Sequence, residues 1–271
     1  MKKFTSLAAA FCLCLSLFAL SGCGNDGGAA KTTLYVYNWG EYMPDGTDDS
    51  MDVIAEFEDR YPDIDVVYDT FTSNEALYSK LKSGGSNYDV IVPSDYMIAR
   101  LIEEGMVEKL NFDNIPNAKN IMDNFKGQSY DPTDEYSVPY SWGTVGIIYN
   151  TTMVEGTPDS WDILWDEKYS NNILMFNNSR DAFGIAQKLL GYSQNTTNES
   201  ELRACAEKLK EQKPLVQSYV MDEIFDKMEN GEAAAAPYYA GDAITMMEEN
   251  EDLAYFLPKE GSNKFVDAMC I

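Results

Sequence analysis

Short apolar runs alternate with amphipathic stretches along most of the chain, and this alternation predicts an α/β protein. Residues 34–37, Leu-Tyr-Val-Tyr, are typical of a strand, and Asn38-Trp39-Gly40 predicts the loop after it. Residues 51–61 place Val53, Ile54 and Phe57 on one helical face, and Pro62 ends that helix. Further strands are predicted at 64–68, 90–92, 143–150, 173–176 and 233–239, and further helices at 73–81, 96–104, 161–165, 180–190, 202–212, 221–230 and 242–249.

The order of these elements indicates where a ligand would bind. Strands that alternate with helices favour α/β layers around a mainly parallel sheet. In such sheets, ligands bind beyond the carboxyl ends of the strands. Trp39, Tyr42, Ser94 and Tyr96 all lie just after predicted strands, so we expect a pocket there.

The first residues have the pattern of an export signal rather than of a folded domain. Lys2 and Lys3 precede an apolar run over residues 4–20, which ends at Leu20-Ser21-Gly22-Cys23. This ending resembles a bacterial lipobox, which implies a signal peptide over residues 1–22 and a lipid on Cys23. Residues 23–32 then form a flexible tether. We therefore expect an exported protein, lipid-anchored to the outer face of the cell membrane or periplasmic.

Composition excludes several classes of function. The net charge of -25 argues against a nucleic-acid partner, because phosphate binding needs a basic surface. The same acidity weakly suits a cationic ligand, although a solvated acidic surface that keeps an exported protein soluble is the better explanation of it. The chain contains no histidine, which removes Ser-His-Asp and Cys-His catalysis.

The cysteines do not form a metal motif. No CxxC pair occurs among Cys12, Cys14, Cys23, Cys205 and Cys270, so a structural zinc site is not expected. Cys205 and Cys270 could form one disulfide outside the cell or stay as two buried thiols. No P-loop, GxGxxG, G-x-S-x-G or HExxH motif is present, and the sequence predicts no cofactor and no metal.

Several longer segments together resemble the spermidine/putrescine-binding proteins of ABC transporters. They are Tyr37-Asn38-Trp39-Gly40-Glu41-Tyr42, Ser73-Asn74-Glu75, Tyr88-Asp89-Val90-Ile91-Val92-Pro93-Ser94 and the run from Tyr136 to Gly143. The resemblance implies an α/β, two-lobed periplasmic-binding-protein fold of type II, with mixed sheets, flanking helices and a ligand cleft between the lobes. It places lobe 1 at residues 33–142 with a return segment at 258–271, and lobe 2 at residues 143–257. That family normally continues through several more helices, so the end at Ile271 predicts a fragment.

The resemblance also implies the binding residues. They are Trp39, Tyr42, Ser94, Tyr96, Asp181, Tyr239, Asp242, Phe265 and Asp267. Asn178 stands where spermidine-preferring members carry an Asp, so the carboxylate set favours putrescine over spermidine. Each candidate also has a purely structural interpretation. The aromatic residues would belong to the core, Ser94 would cap a helix, and Asp181 and Asp242 would be solvated charges at helix starts. Asp267 is the strongest of the candidates, because an unpaired carboxylate is costly to bury in an apolar stretch.

These observations predict a non-enzymatic, monomeric solute-binding protein of an ABC importer. Its expected partners are a polyamine, the permease subunits in the membrane and the membrane itself through Cys23. Three alternatives stay open at this point: a binding protein for another small solute, a lipid-anchored glycosidase that uses an Asp/Glu pair, and a surface adhesion or sensor lipoprotein.

Overall fold

The computed structural model describes residues 30–47, 50–84 and 87–271. The leader, Cys23 and most of the tether lie outside these ranges. Two sheets, each with its own hydrophobic core, build two α/β lobes around a cleft. No helix in the described ranges is both long enough and apolar enough to cross a membrane.

The smaller sheet is entirely parallel, as the alternating pattern predicts. It consists of β1 (Thr32–Trp39), β2 (Ile64–Phe71) and β3 (Val90–Ile91), in the order β2-β1-β3. The helices between and after these strands are α1 (Val53–Arg60), α2 (Asn74–Lys82) and α3 (Asp95–Glu103). Leu77 and Ile98, on α2 and α3, are completely buried and pack into the core of this lobe.

The larger sheet is mixed. Its strands are β4 (Val138–Asn150), β5 (Ile173–Phe176), β6 (Val216–Val220), β7 (Ala235–Tyr239), β8 (Leu253–Phe256) and β9 (Lys264–Met269). The order is β6-β5-β7-β4-β8, with β9 also paired to β4. Strand β5 is parallel to β6 and β7, but β4 is antiparallel to β7, β8 and β9. A mainly parallel arrangement therefore describes the smaller sheet and not this one.

Helices and short turns cover the larger sheet. The helices are α4 (Ser179–Leu189), α5 (Glu199–Gln212), α6 (Ile224–Glu229) and α7 (Ala240–Glu249). Turns of 3-10 helix occupy Gly40–Tyr42, Phe112–Asn114, Pro116–Asn120, Asp123–Phe125, Trp161–Trp165, Glu167–Tyr169 and Lys213–Leu215. Residues 161–165, predicted as a short helix, thus form the tighter 3-10 type.

Strand β4 connects the two lobes. Its first half, Val138 to Thr144, pairs with β9, whereas Val145 to Asn150 pairs with β7 and β8. On β9, Val266 and Ala268 pack into the core of the smaller sheet, so the returning chain completes that lobe. The lobe boundary predicted between residues 142 and 143 falls inside β4, and the limits of the lobes stay a prediction.

Gly146 on β4 lies where three strands pack too closely for a side chain. A Cβ at this position would lie 2.5 Å from the carbonyl oxygen of Phe256 on β8. We expect Gly146→Ala to lower the free energy of unfolding by about 1–3 kcal/mol, the usual cost of overpacking. Urea unfolding checks this. Gly241→Ala is the control, because its Cβ would meet no atom within 4 Å and the substitution favours the helix.

The two cysteines that lie in the described ranges are free thiols. Cys205 and Cys270 are fully buried and do not pair. Of the two interpretations that the sequence left open, the structure therefore has the pair of buried thiols.

Candidate functional site

A cleft of about 610 Å³ lies between the lobes. This volume is typical of a site for a small molecule. Residues from both sheets and from the returning strand β9 line it. All nine residues predicted from the sequence are among them: Trp39, Tyr42, Ser94, Tyr96, Asp181, Tyr239, Asp242, Phe265 and Asp267.

Strand ends and helix starts bring these side chains together. Trp39 ends β1, and Tyr239 ends β7. Asp181 and Asp242 lie in the first turns of α4 and α7, where the helix dipole stabilises a negative charge. The cleft therefore lies at the carboxyl edge of the parallel strands, as the strand–helix order predicts.

Asp267 on β9 is a buried carboxylate with one free oxygen. The Tyr42 hydroxyl donates a hydrogen bond to its Oδ2 at 2.5 Å, but Oδ1 has no partner. Only 3% of the residue is exposed. Burial raises the pKa of Asp267 to about 6, the hydrogen bond from Tyr42 opposes the rise, and the charges of Asp95 and Asp181 add to it. An unpaired buried oxygen of this kind favours a positively charged partner.

Asp181 is held by three neutral donors. Its Oδ2 accepts hydrogen bonds from Asn178 Nδ2 and the Tyr239 hydroxyl, both at 2.9 Å, and its Oδ1 accepts one from Asn263 Nδ2 at 2.9 Å. Burial is the main cause that raises the pKa of this carboxyl, and these hydrogen bonds oppose it. Asn178 also caps α4 by accepting from the amide of Arg180. The solvated helix-start interpretation does not describe Asp181, because the residue is buried.

Asp242 belongs to a second group of carboxylates. Burial, followed by the charges of Asp222 and Glu41, raises its pKa to about 7. Asp222 follows β6 and Glu41 follows β1, so strands of both lobes supply this group. The pKa of Asp222 is also raised, by burial and then by the charges of Glu41 and Glu223. The carboxylates of the cleft therefore form two groups, one around Asp267 and one around Asp242.

Aromatic rings line the space near both groups. Trp39 packs against the cores of both lobes and contacts Phe71 with ring centroids 4.6 Å apart. Tyr239 and Phe265 meet edge to face at 5.2 Å. Trp39 is only partly buried, so it is not an ordinary core aromatic.

Ser94 and Tyr96 make side-chain contacts that the sequence does not predict. Ser94 begins α3, but its side chain does not cap the helix; it accepts a hydrogen bond from Asn74 Nδ2 at 2.9 Å. Tyr96 donates to Glu75 Oε1 at 3.0 Å, and the Arg180 guanidinium lies 5.0 Å from its ring centroid. A protein cation therefore already occupies one face of the Tyr96 ring.

Negatively charged side chains outnumber positively charged ones in the cleft. Six carboxylates line it, from Glu41, Asp95, Asp181, Asp222, Asp242 and Asp267, against two cations, from Arg180 and Lys264. Arg180 and Lys264 lower the pKa of Asp95, which burial raises. In the part of the chain that the structure describes, no cluster of His, Cys, Asp and Glu is arranged to hold a metal ion. The excess of carboxylates over cations suits a positively charged ligand.

Sequence reasoning missed several lining residues, notably Asn74, Asp95, Asp222 and Asn263. Asp222 follows β6, and no strand was predicted there, so its place at a strand end was not evident. Asp95 directly follows Ser94, and the strand-end argument extended by one residue identifies it. Asn74 and Asn263 act through contacts between distant segments, for which the sequence carries no local signal.

A two-lobed α/β fold around an acidic, ring-lined cleft is typical of a solute-binding protein. Residues 85–271 match the family described as bacterial extracellular solute-binding protein. The chain belongs to this family.

Similar proteins agree with that assignment. The spermidine/putrescine-binding periplasmic protein of Salmonella typhimurium is 34% identical over 274 residues, which cover 100% of this chain and 75% of the relative. A solved structure described as a putative spermidine/putrescine ABC transporter from Listeria monocytogenes has a TM-score of 0.83 and 40% identity, covering 89% of this chain and 73% of that one. The Tp0655 (TpPotD) lipoprotein of Treponema pallidum has a TM-score of 0.78 and 31% identity, covering 88% and 74%.

Proposed function

We propose that this protein binds a polyamine, putrescine or spermidine, as the monomeric substrate-binding component of an ABC importer. The observation that carries the proposal is the buried, unpaired Oδ1 of Asp267 in a cleft with six carboxylates and two cations. The names of the similar proteins from Salmonella typhimurium and Listeria monocytogenes support the same ligand class. They are binding and transport proteins, which leaves the glycosidase alternative without support.

The chemistry of a polyamine matches this cleft. A polyamine has ammonium groups separated by methylene chains, so it needs both carboxylates and apolar faces. A hydrogen bond to a charged group contributes about 1.5–3 kcal/mol. A cation over an aromatic ring contributes about 2 kcal/mol when desolvated. A few such contacts reach the roughly -8 kcal/mol of micromolar affinity after the costs of association.

The proposed roles follow from the contacts. Asp267 and Asp181 bind one ammonium, Asp242 binds another, and Trp39, Tyr42, Tyr239 and Phe265 enclose the methylenes. Ser94 pairs with Asp267 through an isolated antiparallel β-bridge, which holds Asp267 in the wall of the cleft. Tyr96 has Arg180 over its ring, so we give it a role in the cleft wall rather than in direct cation binding.

Calorimetric titration of the purified protein with putrescine and with spermidine tests the proposal. We expect micromolar or tighter binding of at least one of them. N,N′-diacetylputrescine is the matched control, because it keeps the chain but lacks both charges. Equal binding of the diacetyl compound, or binding of neither amine, would contradict the proposal. The tighter amine also decides the preference for putrescine that we expect from Asn178.

We further propose that Cys23, which lies outside the described residues, carries a lipid that holds the exported protein at the membrane. The support is the motif Leu20-Ser21-Gly22-Cys23 and the likeness to a lipoprotein of Treponema pallidum. Stable anchoring takes more than one acyl chain. Fractionation of cells that express the wild type and Cys23→Ser tests this. Membrane retention of the Ser variant would contradict it.

A further inference from the structure

The carboxylates of the cleft are divided into two separate groups. The charges that raise the pKa of Asp267 come from Asp95 and Asp181, whereas those that raise the pKa of Asp242 come from Asp222 and Glu41. Tyr238 and Tyr239 are consecutive on β7, but different carboxylates affect their pKa values. Burial is the main cause that raises the pKa of both tyrosines, followed by the charges of Asp242 and Asp222 for Tyr238 and by the charge of Asp181 for Tyr239. The cleft therefore has two acidic ends, one around Asp267 and Asp181 and one around Asp242 and Asp222.

The end around Asp242 is built across the two lobes. Asp222 lies just after β6 in the larger lobe, and Gly40 lies just after β1 in the smaller one. A Cβ on Gly40 would lie 2.6 Å from Asp222 Oδ2, so the carboxylate rests against the backbone of the opposite lobe. Glycine at position 40 leaves the space for this approach.

Within residues 30–47, 50–84 and 87–271, no protein cation neutralises this end. Among the residues that the structure describes, Glu41, Asp222 and Asp242 have no ion-pair partner. Arg180 and Lys264 act on Asp95, which belongs to the other end. Three carboxylates with no counter-ion repel one another, and a ligand cation placed among them would relieve that repulsion.

The opposite end supplies an independent sign that the cleft takes a cation. Asp267 lines the same cleft, only 3% of the residue is exposed, and its Oδ1 has no hydrogen-bond partner. One cation at Asp267 and a second at the end around Asp242 require a ligand that carries a positive charge at each end.

We propose that Asp222 is a specificity-determining residue, which binds the second ammonium of the ligand together with Asp242 and selects ligands with two charged ends. This inference rests on the proposed function, because the first ammonium is the one that Asp267 binds. It adds Asp222 to the binding residues and makes this carboxylate part of the contact between the lobes around the ligand.

Titration of Asp222→Asn with putrescine and with N-acetylputrescine, which keeps one ammonium and neutralises the other, tests this inference. We expect the substitution to weaken putrescine binding by about 10-fold or more, the effect of losing a charged hydrogen bond. We expect less than a 2-fold change for N-acetylputrescine, measured by displacement of bound putrescine if direct titration is too weak. Asp226→Asn is the matched control, because it removes the same charge from exposed Asp226 on α6, outside the cleft.

The outcomes distinguish a failure of this inference from a failure of the proposed function. Unchanged putrescine affinity in Asp222→Asn, or an equal loss in Asp226→Asn, would overturn the role of Asp222 and leave polyamine binding intact. Equal losses for putrescine and N-acetylputrescine would also overturn it, because the effect would not depend on the second charge. A wild type that binds neither amine would instead reject the proposed function. We expect Asp222→Asn to melt no lower than the wild type, since it removes a repelled carboxylate, and this melting control identifies a folding defect.

Discussion

Asp267→Asn is expected to weaken polyamine binding by about 100-fold or more. The substitution leaves a ligand ammonium buried opposite a neutral amide, and removal of one partner of a buried ion pair costs about 3–5 kcal/mol. The same change is expected to stabilise the empty protein at pH 8. The carboxyl has a pKa of about 6 against 3.8 in the unfolded chain, so its ionised form costs roughly 3 kcal/mol in the fold. Titration calorimetry and thermal melting at pH 8 measure the two effects.

Asp131→Asn is the control, for which we expect the opposite changes in melting temperature and affinity. Asp131 is also buried, with 2% exposed, but its oxygens accept hydrogen bonds from the amides of Glu135 and Tyr136 and the hydroxyl of Ser137. Its loss should lower the melting temperature and leave the affinity unchanged. If Asp267→Asn binds polyamine as the wild type does, or melts lower than the wild type when empty, Asp267 is a structural residue and the binding assignment fails.

The affinity for polyamine is expected to fall by about 10-fold or more between pH 8 and pH 6, since one unit of pKa corresponds to a tenfold change. Amines stay protonated over this range, because an alkyl ammonium like that of lysine has a pKa near about 10.4. The carboxyls do not stay ionised: Asp242 and Asp267 have pKa values of about 7 and about 6 in the empty cleft. Below these values a proton competes with the ligand ammonium for each carboxylate, so binding at pH 6 must release protons.

The stability of the empty protein is expected to change with pH in the opposite direction to the affinity for polyamine. Both pKa values are raised in the fold, so the native state binds more protons than the unfolded chain between about pH 4 and pH 7. These two groups therefore destabilise the empty protein as the pH rises through about 6 and about 7. Bound ligand removes that cost, and ligand-induced stabilisation should be larger at pH 8 than at pH 6. Calorimetry in buffers of different ionisation enthalpy counts the protons released.

Asp242→Asn isolates one of the two titrations. The variant should bind more weakly at pH 8 and lose the part of the pH dependence near pH 7, while the part near pH 6 from Asp267 stays. An affinity that is flat between pH 8 and pH 6 in the wild type would show that these carboxyls do not carry the binding. The exposed ion pair of Lys31 and Asp65 gives a reference, since Lys31→Gln should change neither profile.

The local chemistry of the chain is enough to place most elements. Ser73 accepts from the amide of Ala76 and begins α2 where the sequence predicts a helix start. Apolar periodicity places α4 and α5 within a few residues of their bounds, because an amphipathic face must repeat every three or four residues. Strand β6 was not predicted, because Val216–Val220 mixes apolar and polar residues and follows a helix directly.

Strand pairing was beyond the reach of these patterns. Strand β4 runs through 13 residues and changes its partners halfway, from β9 to β7 and β8. Its antiparallel pairing depends on segments 86 to 131 residues further along the chain, and nothing in the period of a strand identifies its neighbours. The mixed order of the larger sheet is therefore a property of the tertiary structure.

The α/β class, the acidic and histidine-free chemistry and, through the resemblance, nine of the residues that line the cleft could be predicted from the chain alone. These follow from residue types and short spacings, which are local. Contacts between distant segments establish that Asp267 has an unpaired oxygen, that Arg180 lies over the Tyr96 ring, and that Asp222 lies against Gly40 of the other lobe. Burial and pairing depend on which distant segments meet, and they set the pKa of each carboxyl and its readiness to bind a cation.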